Sequence, residues 1–245
     1  MSDTVYIFGA VPGDNIDHLD AGDSPVLFCD GGIGYAECIS GGKRYLFGDF
    51  DSLSVRNASG KTAFESMGLS FKEAEALNNG DIVTISGTDY EIIKFPVRKD
   101  ASDLELAMEY AWKSGAKKVV IYGCLGGDRP DHGFVNLLMI SAYAEKGLKI
   151  IMTNGRETYA AFKESGVILK PTSGHVGVLA VLSPAELVSI SGLSYEAEGI
   201  TLLPGSTCGT SNYFEADAKH PAVIKAGKGS LVVCGDFGPD KIDFC

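Results

Sequence analysis

Five short, unbroken apolar runs fall in the first 155 residues: VYIFG (5–9), PVLFCD (25–30), RYLFGD (44–49), KVVIYG (118–123) and LKIIMTN (148–154). A strand with one wet face alternates apolar and polar residues, so a continuous run implies burial on both faces, as in a parallel sheet covered by helices. Between the last three runs the apolar spacing becomes helical. Leu104, Ala107, Met108 and Ala111 fall at i, i+3, i+4 and i+7, and Phe134, Leu137 and Leu138 begin a second stripe. These alternations read as βαβ units. The stretch 53–97 predicts a helix over 62–77 and a hairpin pairing DIVTIS (81–86) with YEIIKF (90–95). After about residue 165 the pattern changes to GVILKP, HVGVLAVL, ELVSISGL, YEAEGITLL, SNYFEA and SLVVCGDF, separated by Gly, Ser, Pro and Asn. That is the pattern of a small all-β unit, a sandwich.

The length of 245 residues allows one large domain or two modest ones. The runs above divide it into an α/β domain over 1–160 and a β-domain over 161–245. Apolar residues at 45% and charged ones at 22% exclude disorder. No apolar run approaches the roughly 20 residues that span a bilayer. The start, MSDTVYIFGAVPGD, lacks the basic segment of a secretory signal. A cytoplasmic chain without a membrane partner is therefore expected. The net charge of −11 repels a polyanionic backbone, so nucleic acid is not an expected partner either. The six cysteines, without any CxxC pair, read as reduced thiols.

Three blocks carry chemistry. In GDFDS (48–52), Asp49 and Asp51 stand two residues apart directly after an apolar run, at the carboxyl end of a strand, where ligands of open α/β sheets bind. They could share a hard cation such as Mg²⁺, or form a turn that caps the next helix. In KDASDLELAMEYA (99–111), Ser102 and Glu105 have capping-box spacing and place a helix start at Ser102. Asp103 suits the helix dipole there, whereas the dipole leaves Asp100 unexplained. The same helix end offers N–H groups to an anion. In GCLGGDRPDHGFVNLL (123–138), a glycine-rich turn leads to Arg129, suited to bidentate phosphate contact, and to Asp131, which alone reads as a helix cap. His132 and Asn136 share a helix face that points at a ligand or at water. No second His or Cys has zinc-ligand spacing to His132.

Together with DGG at 30–32 and TSNYF at 210–214, these blocks form a collinear series. The order DGG, GDFDS, KDASDLELA, GGDRPDH, TSNYF resembles the thiamine pyrophosphokinase (thiamine diphosphokinase) family over nearly the whole chain. The resemblance implies a Rossmann-like N-terminal domain, a C-terminal β-sandwich, a homodimer, and transfer of pyrophosphate from ATP to thiamine with release of AMP. It assigns Asp49, Asp51, Asp100 and Asp103 to a catalytic Mg²⁺ and phosphate cluster. It also lines the nucleotide cleft with Asp30, Gly31, Gly32, Ser52, Arg129, Asp131 and His132, and sets Ser211 and Asn212 against thiamine. The chain departs from the family pattern at Ser102, where Thr is usual, at Arg98, where bacterial members often carry Glu, and at Asp128, which lengthens the glycine turn. Two other readings compete. One takes D-F-D as the metal motif of a nucleotide-sugar transferase, which explains a single block. The other is a nucleotide- or vitamin-binding sensor without turnover, which leaves the surplus carboxylates unused.

Overall fold

The computed structural model describes residues 2–11, 16, 18–48, 82–84, 90–95 and 100–245. The helix expected over 62–77 lies outside these residues, as do Asp49, Asp51 and Ser52. The chain forms two compact units: Met1–Pro12, Ile16–Ala116 and Ile121–Cys124 in the first; Gly13–Asn15, Lys117–Val120 and Leu125–Cys245 in the second.

The first unit carries β1 (Thr4–Phe8), β2 (Leu19–Asp20), β3 (Val26–Cys29), a 3-10 helix (Asp30–Cys38), β4 (Ile39–Ser40), β5 (Arg44–Gly48), β6 (Ile82–Thr84), β7 (Tyr90–Lys94) and helix α1 (Asp103–Lys113). Strands β1, β3, β5 and β7 pair in parallel in that order, with Phe8 level with Phe28 and Cys29 level with Phe47. Strand β6 joins β7 antiparallel, which is the expected hairpin. Successive strand residues point to opposite faces. Ile7 and Phe8, Leu27 and Phe28, and Leu46 and Phe47 are nevertheless all buried, so both faces are covered. The unbroken apolar runs follow from that. Helix α1 starts where expected, because the Ser102 hydroxyl accepts from the Glu105 N–H at 3.2 Å. Such a cap contributes about 1 kcal/mol. The predicted stripe of Leu104, Ala107, Met108 and Ala111 is the buried face of the helix. The end of β8 (Lys118–Tyr122) belongs to this unit, where the Gly9 N–H donates to the Tyr122 carbonyl at 2.8 Å.

The second unit begins with the first residues of β8, followed by α2 (Pro130–Glu145), β9 (Lys149–Thr153), β10 (Glu157–Lys163), β11 (Gly166–Leu169), β12 (His175–Leu179), β13 (Ala185–Ser191), β14 (Ala197–Leu202), β15 (Asn212–Tyr213), β16 (Ala222–Lys225), β17 (Ser230–Asp236) and β18 (Ile242–Phe244). Strands run β15-β12-β17-β10-β9 in one antiparallel series. A separate antiparallel sheet has the order β14-β13-β16-β11-β18. The Phe162 ring on β10 meets Phe244 on β18 edge-on at 6.2 Å, which brings the two sheets together. Residue 160 falls inside β10, a strand that pairs with both β9 and β17. All six cysteines are free thiols. Among the described residues no helix is long and apolar enough to cross a membrane.

Helix α2 departs from the expected stripe. Phe134 is 65% exposed, and the buried positions are Met139, Ile140, Ser141, Tyr143 and Ala144. The helix lies on β9, β10 and β17, and its second half supplies the buried seat. Glu145 fastens that half. One carboxylate oxygen accepts from the Ser183 and Ser230 hydroxyls at 2.8 and 2.7 Å, and the other faces the Lys163 ammonium at 3.4 Å. Burial pushes the Glu145 carboxyl upward, but the hydrogen bonds from Ser230, Ser183 and Lys163 outweigh it and hold the group below its usual value. A depressed folded-state value stabilises the fold above the unfolded pKa, and that contribution is lost as pH falls through the folded one. Glu145→Gln is therefore expected to cost about 1–2 kcal/mol at neutral pH. In thermal melts the deficit should shrink once the pH drops below about 4; a deficit constant with pH would contradict the assignment.

Candidate active site at the carboxyl edge of the parallel sheet

Two glycine positions explain how this edge is built. A Cβ on Gly32 would lie 2.0 Å from the Phe8 carbonyl, so only glycine lets the 3-10 helix settle onto the end of β1. At the end of β5, a Cβ on Gly48 would lie 1.7 Å from Asp30 Oδ1. The Asp30 carboxylate therefore occupies the space that a side chain at position 48 would need. Asp30 itself has φ 43°, a left-handed conformation that non-glycine residues adopt at a cost of about 1–3 kcal/mol. That backbone turns its carboxylate across the sheet toward β5, and Asp49 is the residue that follows Gly48.

The KDASD block arrives at the start of α1. The Cys29 thiol, last residue of β3, donates to the Asp103 carbonyl at 3.5 Å. This contact seats the first residue of α1 against the end of β3, immediately before Asp30. Asp30 and Asp103 are half-buried, and Asp100 is exposed ahead of the cap. The structure thus brings Asp30, Gly31, Gly32, Gly48 and Asp103 to one edge. Among the described residues no group of three or more His, Cys, Asp or Glu stands together as a metal site. The available donors are carboxylate oxygens, which suit a hard cation such as Mg²⁺.

In the second unit, Arg129 immediately precedes α2 and Pro130 takes the first helical position. Asp131 is not the cap that its spacing suggests; it lies within the first turn. Both its oxygens bind Arg129, Nε to Oδ1 at 3.0 Å and Nη2 to Oδ2 at 2.7 Å. Hydrogen bonding from the guanidinium holds the Asp131 carboxyl down at about 2. Both partners are exposed, so the pair adds little stability. It does fix the orientation of the guanidinium fork. His132 stands exposed on the same turn.

Ser211 has φ 60° and is exposed, but Asn212 is buried. The Asn212 Oδ1 accepts from the Tyr195 and Tyr213 N–H groups, each at 3.0 Å, and its Nδ2 donates to the Tyr195 carbonyl at 2.8 Å. Its amide therefore holds two tyrosines: Tyr213, within the TSNYF block, and Tyr195, which no sequence motif points to. Tyr195 and Tyr213, 65% and 37% exposed, meet edge-on at 6.0 Å, and His175 meets Tyr213 at 6.4 Å. Only the strand pairing of β15 with β12 makes His175 a neighbour of Tyr213.

The model of the thiamin pyrophosphokinase catalytic domain matches residues 16–152, more than half of the chain. No curated protein matches the sequence. Among solved structures, thiamine pyrophosphokinase from Bacillus subtilis superposes with a TM-score of 0.68 at 19% identity, covering 96% of this chain and 99% of that one. The Geobacillus thermodenitrificans enzyme gives 0.65 at 19% identity, covering 97% and 99%. The Candida albicans enzyme gives 0.61 at 12% identity, covering 96% and 88%. These likenesses establish the fold, and the catalytic-domain match, spanning three of the motif blocks and DGG, establishes the lineage. The chain belongs to the thiamin pyrophosphokinase family.

Proposed function

We propose that this chain is a thiamine diphosphokinase, transferring pyrophosphate from ATP to the hydroxyl of thiamine and releasing AMP. The observation that carries the reading is the match to the catalytic domain over 16–152, the stretch in which Asp30 and Asp103 converge at the carboxyl edge. Neither a nucleotide-sugar transferase nor a sensor is favoured by that match. In this reading residues 1–160 form a Rossmann-like domain for ATP and Mg²⁺, and residues 161–245 a β-sandwich for thiamine. The protein works as a cytoplasmic homodimer.

Electrostatics dictates much of the mechanism. A chain of net charge −11 repels ATP unless a cation stands between carboxylates and phosphates. Asp49, Asp51, Asp100 and Asp103 would hold Mg²⁺, with Asp30 beside them, and the ion would offset charge on the transferring phosphates. The Asp30 carboxylate is seated in the space that Gly48 leaves open, and Cys29 fixes the main chain of Asp103, so the start of α1 needs little rearrangement. Gly31, Gly32 and Ser52 line the nucleotide cleft. Arg129 presents its fork to phosphate, exchanging the Asp131 carboxylate for the substrate, with His132 on the same turn. The thiamine oxygen attacks the β-phosphorus in line, the bond to the bridging oxygen of AMP breaks, and Asp100 or Asp103 takes the hydroxyl proton. Ser211 faces thiamine, while Asn212 holds Tyr195 and Tyr213 in place as a surface for its flat ring.

Release of AMP from ATP that requires both thiamine and Mg²⁺ tests the reaction directly; ATP consumption without thiamine, or none at all, would refute it. Asp51→Asn should abolish turnover with Mg²⁺ as the only metal. Gly48→Ala forces the Asp30 carboxylate aside, and a displacement on the order of 1 Å is expected to lower kcat about 10²-fold. Circular dichroism should show that variant folded, and wild-type kcat would contradict the locking role. Arg129→Lys keeps the charge but loses the planar fork, so KM for ATP should rise; an unchanged KM and kcat would return Arg129 to a surface role.

A further inference from the structure

Four rings form a connected stack at the ends of β1, β3 and β8. Phe8 packs on Phe28 at 5.6 Å and on Tyr122 at 5.3 Å, the latter pair nearly parallel at 9°. Tyr35, from the 3-10 helix, adds the fourth ring at 5.5 Å from Phe8. Phe8, Phe28 and Tyr122 are buried, and Tyr35 is the one member that reaches solvent. Its hydroxyl donates to the Val11 carbonyl, which tethers the far end of the ring. Its edge rests on the backbone of Gly123, where a Cβ would stand 3.0 Å from the ring carbon Cε2. The ring is therefore held against Phe8 and at its tip, and it stays half-buried at the edge where α/β sheets receive ligands.

We infer that Tyr35 is the stacking platform for the base of the bound nucleotide. This rests on reading the edge as the ATP site. Tyr35 lies over the ends of β1 and β8, whereas Asp30 and Gly48 mark β3 and β5. Neighbouring strands are about 4.8 Å apart, so the platform and the carboxylates are separated by about two strand spacings. A ribose and its first phosphate bridge such a gap, with the neutral base on the aromatic flank and the phosphates near the carboxylates. A tethered aromatic ring stacks on a base with little loss of freedom. A cationic thiazolium would instead be drawn to the carboxylates.

The test uses the intact protein with Mg²⁺ and compares AMP with ribose 5-phosphate, which lacks the base. Tyr35→Leu should weaken AMP binding about tenfold in calorimetry while leaving ribose 5-phosphate affinity unchanged. Tyr35→Phe, which keeps the ring, should bind AMP within about twofold of wild type. In the wild-type protein, AMP but not ribose 5-phosphate should shift the Tyr35 ring resonances, identified by their absence in Tyr35→Phe; this needs no disruptive substitution. Equal weakening of both ligands, or of neither, would overturn the platform role. So would Tyr35 resonances that move with thiamine and not with AMP. AMP binding of the expected kind in a protein that releases no AMP from ATP and thiamine would leave the platform standing and reject the proposed reaction.

Discussion

The whole edge depends on a carboxylate standing where a side chain would otherwise be. Because Asp30 fills the space above Gly48, the ends of β3 and β5 cannot shift against each other without moving a charged group. The left-handed turn at Asp30 is strained, and it survives because the 3-10 helix is pinned at Gly32 against β1 and by Tyr35 to Val11. Strain, glycine and carboxylate form one arrangement. The Cys29 thiol extends it to α1, so Asp30, Gly48 and the main chain of Asp103 are placed by contacts among themselves.

A second level of organisation lies in the pairing of opposite tendencies. The sheet interior is apolar on both faces, and among the described residues Asp30, Asp103, Arg129 and Asp131 stand at strand ends and helix starts. This separation lets an acidic site exist beside a dry core, since carboxylates at a sheet edge keep access to water and to cations. The Arg129 and Asp131 pair follows the same logic on α2: exposed, oriented, and adding little to stability.

Much of this was legible in the sequence, for physical reasons. Doubly buried strands must be continuously apolar, and the runs at 5–9, 25–30 and 44–49 became β1, β3 and β5. The cap at Ser102 was readable because it is local, needing only residues three apart. What was not legible depends on distant partners. The spacing of Phe134, Leu137 and Leu138 predicts a stripe on α2, but periodicity identifies a face and not which half of the helix has something to lie on. The family resemblance sets Asn212 against thiamine; its amide bonds main-chain groups of Tyr213 and of Tyr195, seventeen positions away, which no local pattern reveals. Tyr35 carries no motif at all, and its place follows from a carbonyl and a glycine just beyond the ends of β1 and β8.

The uneven burial of α2 has a dynamic consequence. Its second half is buried and fastened by Glu145 to Ser183, Ser230 and Lys163, while its first turns expose Phe134 and Val135 to solvent. Helical segments with few buried contacts open at lower free energy than the global transition. Amide protons near His132 should therefore exchange sooner than those near Tyr143. Arg129 and Asp131 ride on the end that loosens first, so the guanidinium fork can be re-aimed by fraying one turn of helix while the rest stays seated.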